Sequence, residues 1–188
     1  MVPDKAFHEE RAPASIYRIE YIKKTAGLGE KTSLLDIGCG GRTFLMHLKK
    51  EGLREIAGVE IEPNYSVYIE KELGVNVSKK RLEDLDFHES YDIITMWHFL
   101  EHVWDLDKAL SVVRQLLRDN GKVFLEVPLI FDIENPPRDK VTFQIAHNYY
   151  FTKRSLNGVL EKAGFKVLTS EITPMNFYIV CCQKTWAS

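Results

Sequence analysis

The sequence predicts an α/β protein, a mostly parallel sheet with helices on both faces. Three observations lead there. Short apolar runs alternate with segments of helical period along the whole chain. Glycine, proline and an Asn-Gly pair punctuate them at strand–helix spacing. The last two apolar runs, 165–172 and about 177–184, are joined through Pro174 closely enough for a hairpin, so one edge strand should run antiparallel.

The elements follow in order. Residues 9–26 read as an amphipathic helix with Ile16, Tyr17, Ile19 and Ile22 among its apolar positions, ended by Gly27 and Gly29. A strand over 33–37 runs into a glycine turn and a helix over 42–51. A second strand, 55–60, precedes a helix opened by Pro63, a residue suited to a first helical turn, and stopped by Gly74. A short strand over 75–78 leads to a polar loop reaching Ser90. The fourth strand is 92–97. A helix over 105–118 ends at the turn signal Asp119-Asn120-Gly121, and a fifth strand over 122–127 stops at Pro128. Residues 129–149 have no period and contain Pro136 and Pro137; a loop of this length in a compact domain reads as a lid or substrate loop. A helix over 152–163 and the two final strands complete a single domain, 1–188, with residues 1–30 as an N-terminal helical cap.

Composition bounds the function. The 188 residues suffice for one hydrophobic core, and 45% hydrophobic with 28% charged residues is ordinary for a globular chain. A net charge of −2 makes no case for nucleic acid or an anionic membrane. No apolar run spans a bilayer, and MVPDKAFHEE has no signal core, which predicts a cytoplasmic protein. Cys39, Cys181 and Cys182 have no metal spacing and read as buried thiols.

The most informative segment is Leu34-Leu35-Asp36-Ile37-Gly38-Cys39-Gly40-Gly41. A strand, a glycine turn and a helix bring backbone close to a polar ligand. Glu60 closes the next strand, where a ribose diol is held. Together they predict a nucleoside-bearing cofactor. The dinucleotide pattern G-x-G-x-x-G fails at Thr43, which argues against a pyrophosphate. The remaining pattern, D-x-G-x-G and then an acidic strand tip, resembles the class I S-adenosylmethionine (SAM) methyltransferases. The resemblance implies a Rossmann-like, seven-stranded sheet and SAM as cofactor, with S-adenosylhomocysteine (SAH) as product. It places Asp36, Gly38 and Gly40 against the methionine and ribose, and Glu60 on the ribose hydroxyls, with Ile61 beside it. It also places Leu82 and Glu83 at the adenine, and Met96 and Trp97 near the methionine end. Arg42 stands where the family has its third glycine; Gly41 is expected to absorb that turn, and Arg42 to reach a carboxylate, of the cofactor or of Glu60.

Residues 91–103, with Glu101-His102-Val103, resemble the strand-four region of the branch that contains ubiquinone-type O-methyltransferases. Residues 147–156 and Ala163-Gly164-Phe165 resemble its downstream segment. Methyl transfer from a sulfonium needs proximity and, for some acceptors, a base. His98 leaves the ligand-binding end of its strand and is the first candidate for a base or substrate contact, joined by His147; the alternative for His98 is a capping or core-edge role. His98, Glu101 and His102 share helical spacing, and related enzymes bind a metal with such a cluster, usually with an acid where this chain has His98. A divalent metal is therefore not favoured and no metal ligand is assigned. Tyr149, Tyr150, Phe151, Trp97 and Trp104 divide between core and an aromatic acceptor pocket, and Arg138 and Lys140 between solvent and an acidic substrate.

The reading is a SAM-dependent methyltransferase of a small molecule, at oxygen or nitrogen, as a monomer or homodimer, with no membrane partner and nucleic acid disfavoured. Its rivals are a non-catalytic SAM-binding regulator or scaffold, for which Arg42 would speak, an RNA methyltransferase, and an NAD-dependent oxidoreductase.

Overall fold

The computed structural model describes residues 3–85, 89–130 and 145–185. The elements are α1 (Lys5–Ala26), β1 (Leu34–Ile37), α2 (Thr43–Lys50), β2 (Ile56–Val59), α3 (Pro63–Leu73), β3 (Asn76–Ser78), β4 (Tyr91–Trp97), α4 (Leu106–Leu116), β5 (Leu117–Val127), α5 (Lys153–Lys162), β6 (Phe165–Ile172) and β7 (Tyr178–Lys184). Local chemistry sets the helix starts. Asp4, Glu62, Asp105 and Thr152 each accept a hydrogen bond from a first-turn amide, supplying a donor's missing partner. Pro63 opens α3, and Gly74 closes it in the left-handed region. α1 starts four residues before the predicted boundary and carries Pro13 within it.

Seven strands pair in the order β3-β2-β1-β4-β5-β7-β6. β1 to β5 run parallel to one another, whereas β7 is antiparallel to both β5 and β6. The antiparallel strand thus lies one place in from the edge, because the β6–β7 hairpin inserts its second strand against β5. β1 and β4 are adjacent although the chain visits β2 and β3 between them. The sheet therefore has a switch point between β1 and β4, and open α/β sheets bind ligands outside the carboxyl ends there.

Successive strand residues point to opposite faces, so Leu34/Leu35, Ile93/Ile94 and Phe124/Leu125 divide between two cores. Leu34, Ile93 and Phe124 pack with α1 and α2 through Ile19, Ile22, Leu45 and Leu48. Leu35, Ile94 and Leu125 pack with α4 and α5 through Leu110, Val113, Leu156 and Leu160. Ile16, expected on the apolar face of α1, is half exposed; the buried stripe is Ser15, Ile19, Tyr21 and Ile22.

The turn signal at Asp119-Asn120-Gly121 does not separate α4 from β5. β5 begins at Leu117, and between the pairs Tyr91↔Leu117 and Ile93↔Lys122 it advances five residues while β4 advances two. The Asn-Gly pair is used in this bulge, where a Cβ on Gly121 would lie 2.8 Å from Leu117 Cδ1. Residues 131–144 of the expected lid, with Arg138 and Lys140, lie outside the described residues. The ends of that loop are tied together: Ile130 N–H donates to Phe151 O at 2.8 Å.

Candidate active site

At the carboxyl ends of β1, β2 and β4 a cavity of about 290 Å³ opens, near the lower limit for small-ligand sites. Gly38, Val59, Glu60 and Ile61 form one side, Arg81, Leu82 and Glu83 a second, and Phe99, His102, Val103 and Trp104 the third. A depression of about 330 Å³ against mid-strand residues such as Leu35 and Ala57 also touches Leu85 and Glu89, which flank the undescribed 86–88. The cavity at the strand tips is the one that gathers the glycine turn and its acidic neighbour.

Glu60 organises the turn. Its Oε2 accepts from Gly40 N–H and its Oε1 from Glu62 N–H, both at 2.8 Å. Gly38 N–H and Cys39 N–H both donate to Val59 O, at 2.8 and 3.1 Å, and Arg42 N–H donates to Cys39 O at 3.3 Å. These amides are therefore engaged within the turn, and a carboxylate occupies the place where a pyrophosphate would need donors. Gly38 and Gly40 sit at φ of 74° and 51°, in the region that suits glycine. A Cβ on Gly38 would lie 2.5 Å from Phe99 Cδ2.

Asp36 is buried behind the turn, accepting from Thr95 Oγ1 at 2.6 Å. Burial pushes its carboxyl up to about 7, against the Thr95 hydrogen bond and the charge of Arg18 that favour the anion. Arg18 is a half-buried cation beside this site that the sequence reading missed. Its guanidinium ion-pairs with Glu126 and lies 5.0 Å from the Trp97 ring centre. Ser15, Arg18, Ile19 and Ile22 follow helical i, i+3, i+4, i+7 spacing, so a cation on the buried stripe was the readable signal. Glu126, inside the apolar run Val123 to Val127, was the matching one.

Of the expected cofactor residues, Gly38, Glu60, Ile61, Leu82 and Glu83 line the cavity, while Gly40 is joined to it through Glu60. Met96 and Trp97 close β4 at the strand tip, but their side chains do not line the cavity. Met96 is buried in the core beneath α4, and Trp97 turns to the other face onto Phe44, ring centres 5.3 Å apart. Strand alternation sends both side chains into packing, which leaves only their main chain at the strand tip.

At the Gly41–Arg42 turn the expectation is corrected in two respects, the residue that turns and the carboxylate that Arg42 meets. Arg42 adopts φ 71° at the N-terminus of α2, so this residue, not Gly41, takes the left-handed turn. Its side chain turns away from the cavity: it stacks over Tyr68 at 4.2 Å, lies 3.6 Å from Glu72, and donates from Nε to His8 Nε2 at 3.3 Å. Gly41 instead makes room, since a Cβ there would lie 2.3 Å from Phe7 and 3.1 Å from Pro3.

His98 follows β4 at φ 51°. Its Nε2 lies 3.0 Å from Glu126 Oε1 and its Nδ1 3.5 Å from Glu101 Oε1, with Phe177 edge-on at 4.3 Å. Burial pulls its pKa down, but hydrogen bonds and charge from Glu101 and Glu126 outweigh this and raise it. Glu126 is lowered in turn, its burial outweighed by His98 and Arg18. Both ring nitrogens of His98 thus face carboxylates, a geometry suited to holding a proton rather than to receiving one from a substrate.

Glu101, His102 and His147 present ligand atoms within 4.8 Å of one another. Glu101 is fully buried; its Oε1 faces His98 Nδ1 at 3.5 Å, and its Oε2 has no hydrogen-bond partner among the described residues. His102 Nδ1 sits 2.9 Å from Ala146 O, the kind of backbone contact that orients a ligating imidazole and leaves its other nitrogen free for a metal. Asn148 and Tyr149 N–H groups donate to Glu101 O, which holds His147 beside the pair. A buried carboxylate with one oxygen unpaired, next to two imidazoles, fits a divalent cation. Of the aromatic residues, Phe151 and Trp97 are core, Tyr149 stacks on Phe151, Tyr150 is exposed beside His147, and Trp104 belongs to the cavity.

A family model described as a methyltransferase domain matches residues 8–170. The chain belongs to the methyltransferase family. Among curated methyltransferases it is similar to the ubiquinone biosynthesis O-methyltransferase of Saccharophagus degradans, 31% identical over 117 residues, covering 57% of this chain and 48% of that one. The protein of the same name from Nitrosococcus oceani is 32% identical over 114 residues, again covering 57% and 48%. The chain thus spans about half the length of these relatives. Among solved structures, the 1,6-didemethyltoxoflavin-N1-methyltransferase of Burkholderia thailandensis, with bound substrate and SAH, superposes with TM-score 0.73 at 20% identity, covering 96% of this chain and 84% of that one. A SAM-dependent methyltransferase of Clostridium acetobutylicum gives TM-score 0.71 at 12% identity, covering 92% and 91%. The fold of this methyltransferase is therefore that of its structural neighbours. No helix among the described residues is long and apolar enough to cross a membrane.

Proposed function

We propose that this chain is a SAM-dependent methyltransferase that methylates a small molecule at oxygen or nitrogen. One observation carries the cofactor assignment: the glycine-turn amides are engaged internally around Glu60, which presents a carboxylate where a dinucleotide site presents donors. A carboxylate accepts from a ribose diol and repels a phosphate. In this reading Glu60 holds the ribose, Ile61, Leu82 and Glu83 the adenine, and Gly38 the link between them. Asp36 meets the ammonium of the methionine head and Arg18 its carboxylate, while the main chain of Met96 and Trp97 closes that end. A bound ammonium gives Asp36 the cation that burial alone denies it.

The protein's part in the displacement is mainly placement of the acceptor in line with the sulfonium. His98, fixed between Glu101 and Glu126, positions that region and carries charge. His147 stands with Glu101 and His102 on the acceptor side, and these three would hold a divalent cation. Such a cation supplies a Lewis acid for an acceptor hydroxyl when bound. The relatives named for O-methyl transfer and the neighbour named for N-methyl transfer support both acceptor atoms. The reading covers one domain, with residues 1–30 as cap and 129–149 as lid, acting as a monomer or homodimer. It includes a cytoplasmic location, in keeping with three buried unpaired cysteines.

Calorimetric titration with SAH tests it, beside Glu60→Ala and an NAD control. Saturable binding by the parent chain, about tenfold or more weaker in the variant and absent for NAD, is expected. NAD binding, or no SAH binding by a folded chain, would overturn the assignment.

A further inference from the structure

A second cavity, of about 510 Å³, lies where the start of α1 meets α2 and α3, and it shares no lining residue with the cavity at the strand tips. Its volume is in the range of small-molecule sites. Tyr68, Met46 and Ala12 give it an apolar wall. Its charged groups differ in whether their hydrogen-bonding capacity is spent. The acids are engaged: Asp4 caps α1 by accepting from Phe7 N–H at 2.9 Å, and Glu9 lies 3.4 Å from Lys5. The bases of α2 are not. Arg42 donates from Nε to His8 Nε2 and stacks over Tyr68, but its Nη groups have no hydrogen-bond partner among the described residues. Glu72 stands off from them at 3.6 Å. The side chains of His47 and Lys50 have no hydrogen-bond or ion-pair partner there either. Arg42, Met46 and Lys50 are four residues apart, which sets them along one face of α2. The Arg42 side chain is only 15% exposed, so its charge is partly stripped of water, and it holds a left-handed backbone that glycine would carry more easily. Burial first, then the charge of Arg42 at His8 and of Lys50 at His47, keeps both imidazoles below the usual histidine value, as a positive local field does.

We propose that this cavity binds a small organic anion, its carboxylate or phosphate on the Arg42 guanidinium and Lys50 and its apolar body against Tyr68 and Met46. A guanidinium presents a planar fork that grips either head group through two parallel hydrogen bonds. His47 supplies a further donor. The unspent capacity of the cavity is therefore cationic at one end while its wall is apolar. This site does not depend on the cofactor reading, because Arg42 faces away from the strand tips.

The test is calorimetric titration of the full chain with benzoate, phenyl phosphate, inorganic phosphate and the neutral benzamide, with and without saturating SAH. Benzoate and phenyl phosphate should bind saturably, the tighter of the two naming the head group, and benzamide at least about tenfold more weakly. Arg42→Gln should weaken anion binding about tenfold or more, and Lys50→Gln about two- to fivefold. Glu72→Gln, which removes a carboxylate competing for Arg42, should tighten it. Lys50 and Glu72 are exposed, so the melting temperatures of these two variants should match the parent's. Benzamide binding as tightly as benzoate, a parent that binds neither organic anion, or affinities unmoved in Arg42→Gln and Lys50→Gln would overturn the site. Inorganic phosphate binding as tightly as phenyl phosphate would overturn the organic body. Displacement of the anion by SAH would place it in the cofactor cavity and overturn the assignment here. A chain that binds benzoate but not SAH would sink the cofactor reading and leave this site standing.

Discussion

Asp36→Asn should make the cofactor-free protein more stable at alkaline pH while impairing the site. Burial raises the Asp36 carboxyl from 3.8 to about 7. The folded chain therefore keeps a proton that the unfolded chain releases, so the folded state loses ground as pH rises from about 4 to about 7 and stays level above. That interval is worth about 4 kcal/mol at 1.36 kcal/mol per pH unit, an upper figure because buried sites relax. Asparagine has no charge to desolvate and keeps the acceptor for Thr95 Oγ1. The variant should gain about 2–4 kcal/mol at pH 8, about 5–15 °C in melting temperature for a chain of this size, and almost nothing at pH 4. Urea or thermal unfolding of both proteins across that range measures the difference. SAH titration should show weaker binding, since the ammonium loses its charge partner. A variant no more stable than the parent at pH 8, or equally stabilised at pH 4 and pH 8, would refute the account of a strained acid.

Arg42→Gly should leave SAH affinity within about threefold, because the side chain points to Tyr68, Glu72 and His8. Its stability should change by less than about 1 kcal/mol, relief of the left-handed turn offsetting the lost stack and ion pair; a tenfold loss of affinity would contradict the geometry. Zn²⁺ or Mn²⁺ should raise the melting temperature of the cofactor-free chain, by about 2.7 kcal/mol equivalent at a hundredfold excess over Kd. His147→Ala and Glu101→Ala should abolish that shift, and a flat response to Mg²⁺, Mn²⁺ and Zn²⁺ would remove the metal from the site.

Much of the fold was legible because its signals are local. Capping carboxylates and hydroxyls, Pro63 and the helix-stopping glycines act within a turn of themselves, and apolar runs report strands without knowledge of their partners. The Asn120-Gly121 pair misled for the same reason: its local geometry is a turn, but sheet pairing absorbed it as a bulge. That the side chains of Met96 and Trp97 leave the strand tip for the two cores depends on the sheet's facing layers, which the strand's own sequence does not contain. Arg18 and Glu126 were visible only as charges in apolar stripes, 108 residues apart.

By itself the sequence determined the element order, the glycine turn and the acidic strand tip on which the proposed ligand class rests, because each depends on residues close together in the chain. The tertiary structure alone decided which groups meet. It turned Arg42 outward, enclosed His98 between Glu101 and Glu126, and brought His147 to Glu101 and His102. It brought Trp104 and Ile61 to the lining of one cavity. Those encounters depend on how α1, the β4 tip and the 145–150 segment pack together, and packing is set by the summed burial of surfaces that no short stretch of sequence contains.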